Sequence, residues 1–183
     1  MKTRFAALLL AALALFSLAG CGGSPSAQTQ TPAVDGGALL QAMMEADGSL
    51  PEMTTVAIDA GSLSPNSADY RDRKKTFSYI SDLPFDLVDR FAVAYSVDGR
   101  QADEIAVIAV KDETDTGDAL DSLRRHQQDR LKLYQTYGPQ EAARVEKAQL
   151  FTRNQYAVLI ICDGAEDVKE AFNGYLDEMT KQN

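Results

Sequence analysis

Bulky and small residues alternate from Phe91 onward, with Phe91, Val93, Tyr95 and Val97 set against Ala92, Ala94 and Ser96. A period of two marks a strand with one bulky face and one small face. After the Asp98-Gly99 turn, Glu104 to Val110 reads as a second strand, apolar on both faces. Past Asp112 the period lengthens to that of a helix over Thr116–Tyr137, which turns Leu120, Leu123, Leu131 and Tyr134 to one side. The pattern then recurs. Gln149–Thr152 and Tyr156–Cys162 flank the turn at Asn154-Gln155, and a helix from Asp163 to about Met179 buries Val168, Phe172, Tyr175 and Met179. Asp163, three residues before Glu166, resembles the start of a capping box. Two ββα units predict an α+β fold, a four-stranded antiparallel sheet with its helices on one face.

Ahead of these units, Leu39, Leu40, Met43 and Met44 predict an N-terminal helical segment over Gly37–Glu45, closed by Asp47-Gly48. Helical spacing already accounts for the two methionines as core. Residues 51–80 are harder to read. Thr54–Ile58 has the composition of a short strand, Ser64-Pro65-Asn66-Ser67 that of a turn, and Arg71–Ser81 that of a helix with a solvated basic start. Between Gly22 and Asp35 only Val34 is bulky and apolar, as in a flexible tether. Such a tether reaches about 20 Å on average.

The chain starts with Lys2 and Arg4, then an uncharged Leu- and Ala-rich run from Phe5 to Ala19. That run is too short to span a bilayer and fits the apolar core of an export signal. It ends in Leu18-Ala19-Gly20-Cys21, which resembles the lipobox of a bacterial lipoprotein. The resemblance implies a signal peptide over 1–20, a diacylglyceryl-modified Cys21, a tether over 21–36 and one α+β domain over 37–183. Two acyl chains would anchor the protein stably to the extracytoplasmic side of the cell membrane.

Removal of Lys2 and Arg4 with the signal takes the formal net charge from −9 to −11. Nucleic acid is excluded as a partner, because phosphate binding needs clustered Lys and Arg. With Cys21 acylated, Cys162 has no disulfide partner, and its place at the end of Ala157–Ile161 marks it as a buried structural thiol.

No short motif for a catalytic nucleophile, a zinc site, a dithiol or a phosphate-cradling loop occurs in the chain. The acidic run Asp112, Glu113, Asp115, Asp118 and Asp121 fails as a calcium loop, since Leu123 stands where the bidentate Glu belongs. Helix-start electrostatics explains most of it. His126, the one histidine, lies between Arg125 and Gln127 at the margin of the long helix's apolar face and reads as a boundary residue. Gln127 and Arg130 project near that face, towards the sheet or a pocket at its edge. No cofactor, metal or catalytic residue is expected. Asp112, Asp115, Arg130 and Tyr137 are the candidate contacts for a ligand or metal.

The runs Asp86–Asp89, Ala94-Tyr95-Ser96, Asp103–Val107 and Lys111-Asp112 carry a further resemblance, continued by Tyr134, Tyr137-Gly138-Pro139, Glu141 and Asn154–Val158. Together these resemble a family of Gram-positive surface lipoproteins that carry a domain of unknown function, over about residues 84–172. Gln155 departs from that pattern, which has Gly before the Tyr of the last strand. The resemblance implies the same layout of anchor, tether and compact domain, and no activity. Two functions are therefore expected. The first is a non-catalytic interaction module meeting an envelope protein through the uncovered sheet face (Ala92, Ala94 and Ala106) or a strand edge. The second is an envelope enzyme or small-ligand binder with a pocket near Arg130, Tyr137 and the acidic cluster.

Overall fold

The computed structural model describes residues 34–181. Leu18, Ala19, Gly20 and Cys21, with the signal segment, lie outside the described residues, as does most of the tether.

Five strands form one antiparallel sheet in the order β1-β2-β3-β5-β4: β1 (Met53–Asp59), β2 (Val88–Ser96), β3 (Glu104–Val110), β4 (Gln149–Arg153) and β5 (Tyr156–Ile161). Among the described residues five α-helices accompany them: α1 (Gly36–Glu45), α2 (Ala68–Phe77), α3 (Thr116–Tyr137), α4 (Pro139–Glu146) and α5 (Ala165–Lys181). The α+β class stands, but the sheet has a fifth strand. Thr54–Ile58 is the centre of β1, which pairs with β2 along its whole length, from Met53 opposite Ser96 to Asp59 opposite Arg90. The β4–β5 hairpin closes at Asn154, which takes a left-handed φ of 49°.

Helices cover both faces of the sheet, not one. Phe91, Val93, Ala106, Ile108 and Leu159 face α2, α3 and α4, meeting Phe77, Leu123 and Val145. Ala92, Ala94, Ile105, Val107 and Val158 face α1 and α5, meeting Leu40, Met43, Val168 and Phe172. The small face of β2 is thus an inner surface. Gly36 approaches so closely that an added Cβ would lie 3.6 Å from that of Ala92. Ala92, Ala94 and Ala106 are all buried, which removes them as a contact surface for another protein. Central strands apolar on both faces require such double cover.

Two local expectations also change. Helix α2 starts earlier than Arg71, capped by the Ser67 hydroxyl on the Tyr70 N–H at 3.0 Å, and ends at Phe77. The start of α5 is held by Asp47, whose carboxylate accepts from the Gly164 N–H at 2.9 Å. Asp163 instead pairs with Arg144, and Glu166 accepts from Gln149. Helix α4, with Pro139 at its first position, carries no separate signal in the apolar pattern.

Candidate functional site

Glu104 opens β3 on the face that meets α3, and its side chain is only 1% exposed. A carboxylate so buried is costly unless charge and hydrogen bonds compensate it. Helix α3 supplies both from one stripe, because residues four apart share a helix face. His126 Nε2 lies 2.8 Å from Glu104 Oε1. A carboxylate accepts, so in this contact Nε2 is the donor and Nδ1 faces away from the bond. Arg130 Nε stands 3.0 Å from Glu104 Oε2. That approach is off the direction a hydrogen bond requires, so charge alone holds the pair and both atoms lack a directed partner.

The guanidinium is steadied elsewhere. Arg130 Nη2 donates to the Ala102 carbonyl at 3.0 Å, and its carbon sits 5.4 Å from the centre of the Tyr134 ring. Tyr134 in turn donates to the Gln101 carbonyl at 2.6 Å, and burial raises its phenol above the ordinary value. Gln127 turns to α4, donating to the Val145 carbonyl rather than to the sheet.

Glu104, His126 and Arg130 form the floor of a cavity of about 280 Å³. Its walls are Val56, Val93 and Ile80 with Thr76, and the exposed rings of Tyr79 and Tyr95 stand at the rim. A second cavity of about 150 Å³ shares Tyr79, Ile80 and His126 with it. This neighbour is polar, lined by Ser78, Asp82, Arg125 and Asp129 together with the mutually hydrogen-bonded Ser81 and Ser122. Arg125 grips Asp82 through two hydrogen bonds of 2.8 and 2.6 Å, and that contact holds the Asp82 carboxyl below its usual range. A third cavity, about 350 Å³, lies instead where the described chain begins. Its three charged residues are already committed, Asp35 to capping α1, Asp59 to the Ser62 N–H and Arg90 to the Val34 carbonyl.

Of the four contacts expected from sequence, only Arg130 lines the cleft. Tyr137 is 82% exposed at the far end of α3. Asp115 lies fifteen residues before Arg130, about 22 Å away along the helix. Asp112 is spent on the turn before α3, accepting from the Thr114 N–H at 3.0 Å and from its hydroxyl at 2.8 Å. The structure therefore does not gather these four, and among the described residues no cluster of three or more His, Cys, Asp or Glu could hold a metal. His126 lies at the boundary of the core, its side chain 13% exposed. Two signals could have located the site: a lone carboxylate at the head of an otherwise apolar strand, and His126 and Arg130 at helical spacing.

A family model described as a domain of unknown function (DUF4358) matches residues 63–162, more than half of the chain. The match starts well before residue 84, so it takes in α2 and every residue lining the cleft except Val56. No curated protein and no solved structure matches the chain.

Proposed function

The chain belongs to the DUF4358 family of domains of unknown function, and from the cleft just described we propose that it is a lipid-anchored binding module of the cell envelope. Cys21, diacylated after cleavage behind Leu18-Ala19-Gly20, would hold it at the extracytoplasmic membrane surface, and the cleft between α2 and α3 would take a small ligand or the tip of a larger one. The observation that carries the binding reading is the Glu104–His126–Arg130 group, buried charge at the base of a half-apolar cavity. Convergent polar groups in a concave, mostly apolar site are what a ligand site requires. No described helix is long and apolar enough to cross a membrane, so the anchoring part of this reading rests on Cys21 alone.

An enzyme is the second reading, because a carboxylate that orients a histidine is half of an acid–base pair. Among the described residues no Ser, Thr or Cys is hydrogen-bonded to His126, which favours binding over nucleophilic catalysis.

Fluorotyrosine incorporated into the full chain tests the binding reading. Fragments from a small-molecule library are expected to shift the Tyr79 and Tyr95 resonances, and a library that shifts neither would overturn it. Anchoring is tested by Cys21→Ala, which should release the protein from the membrane fraction and abolish fatty-acid labelling. Unchanged retention and mass would remove that half of the proposal.

A further inference from the structure

The charges around the cleft cancel within the protein. Glu104 faces Arg130 and His126, Asp82 is gripped by Arg125, and Asp129 is bonded to Lys132 at 2.8 Å. An ionic ligand would lose its hydration and find no unmatched counter-charge to replace it. The acidic chain as a whole also opposes an anion at long range. Hydrogen-bonding capacity, by contrast, is left over. Arg130 bonds Ala102 through Nη2 and His126 bonds Glu104 through Nε2, so the hydrogen-bonding capacity of Arg130 Nη1 and His126 Nδ1 is not used in either contact. The first is a donor. The second accepts in the tautomer that donates from Nε2 to Glu104.

One donor and one acceptor at the floor and two exposed tyrosine rings at the rim define a chemistry. A ligand hydroxyl both donates and accepts, so neighbouring hydroxyls satisfy Nδ1 and Nη1 without any net charge. The rims and walls ask for a flat apolar face. A sugar ring offers both: a rim of hydroxyls and a face of C–H groups that packs on aromatic rings. Tyr79 and Tyr95, 67% and 38% exposed, are amphipathic rings of the kind enriched where one end must be dry and the other wet. We infer that the cleft binds a neutral saccharide, with the ring face against Tyr79 and Tyr95 and hydroxyls on His126 Nδ1 and Arg130 Nη1. This rests on the binding reading above and narrows it to one ligand class.

The test uses the full chain in a polyoxyethylene detergent, which carries no sugar. Saturation-transfer spectra are recorded with cellobiose, maltose and N,N′-diacetylchitobiose. Glucuronate, glucosamine and a neutral tripeptide serve as anionic, cationic and peptide comparators. A neutral sugar is expected to bind, with Kd raised about tenfold by Tyr79→Ala and restored by Tyr79→Phe. Tyr79 is exposed, so the variant should keep the wild-type unfolding temperature, and that is measured alongside. Tighter binding of glucuronate, glucosamine or the tripeptide overturns the saccharide assignment. So does sugar binding that neither Tyr79→Ala nor Tyr95→Ala weakens. If no sugar binds while library fragments still shift Tyr79 and Tyr95, the ligand class is wrong and the binding module stands. If fragments shift neither ring, the module itself is wrong.

Discussion

Asp47, two residues past the end of α1, accepts a hydrogen bond from the backbone N–H of Gly164, 117 residues later, at 2.9 Å. It also takes the Ser49 N–H at 2.9 Å and the Ser49 hydroxyl. A carboxylate at the start of α5 meets the positive end of that helix and an otherwise unpaired donor. This links α1 to α5 on one face of the sheet.

Asp47→Ala should therefore cost about 1–3 kcal/mol, read as a fall in the denaturant midpoint. Gly164→Ala should cost a similar amount, because its Cβ would lie 2.6 Å from the Asp47 carboxyl carbon. The cap also predicts a pH dependence. Burial works to raise the Asp47 carboxyl, but the Ser49, Gly164 and Cys162 hydrogen bonds outweigh it and hold the group below its ordinary value. A group lowered by folding stabilises fully above its unfolded value and loses that contribution as pH falls through the folded one. The gap between wild type and Asp47→Ala should be widest near neutrality and shrink below about pH 4. A gap constant down to about pH 2 would show that the charge is not what stabilises.

How much of this was legible in the sequence divides along physical lines. Strands β3 and β5, the hairpin at Asn154-Gln155 and the whole span of α3 follow from local periodicity, and they fall where the pattern puts them. The second helical layer was legible in principle, since a strand as apolar as Ile105–Val110 cannot leave either face in water. The smallness of Ala92 and Ala94 marks no open surface: both lie in the core under α1 and α5, and Ala92 accommodates the close approach of Gly36. The cleft was less legible. Glu104, His126 and Arg130 come together only when β3 packs under α3, and no short-range spacing encodes that meeting. Asp47 and Gly164 are further apart still, and a cap supplied from another helix leaves no local mark.

Removing the Glu104 carboxylate leaves Arg130 partly buried without its counter-charge. Glu104→Ala should cost about 3–5 kcal/mol. The paired replacement Glu104→Leu with Arg130→Met, which removes both charges, should recover most of that loss. Chemical unfolding of the two variants separates the claims. If the pair is as unstable as the single variant, lost packing rather than unpaired charge explains the cost.

Arg144 joins three acids: Glu141 at 2.7 Å, Asp163 at 2.9 Å and Asp103 at 3.1 Å. Asp103 is 6% exposed, and burial raises its carboxyl although the Arg144 charge opposes the shift. A carboxyl raised by folding stabilises below its unfolded value and loses that contribution as pH climbs through the folded value. Without Arg144 the opposing charge is gone, so the loss grows. Arg144→Leu should destabilise by about 2–4 kcal/mol at pH 7 and by clearly less near pH 4. Equal destabilisation at both pH values would mean that Arg144 acts by packing and not by neutralising Asp103.

Cys162 follows β5 on the α1–α5 face, 8% exposed and within hydrogen-bonding reach of the Asp47 carboxylate. Burial, with Asp47 next to it, pushes its thiol up to about 12. Only the thiolate attacks an alkylating or disulfide reagent, and access is also denied. In the native protein at pH 8 Cys162 should therefore react with a disulfide reagent at least about a hundredfold more slowly than a free thiol. Reaction should then proceed through opening of the structure, so its rate should track stability. Asp47→Ala is the informative variant, because it removes the neighbouring charge and loosens the α5 start together. It should speed the labelling of Cys162 by about tenfold or more. Wild-type Cys162 reacting as fast as a free thiol would contradict both its burial and the Asp47 contact.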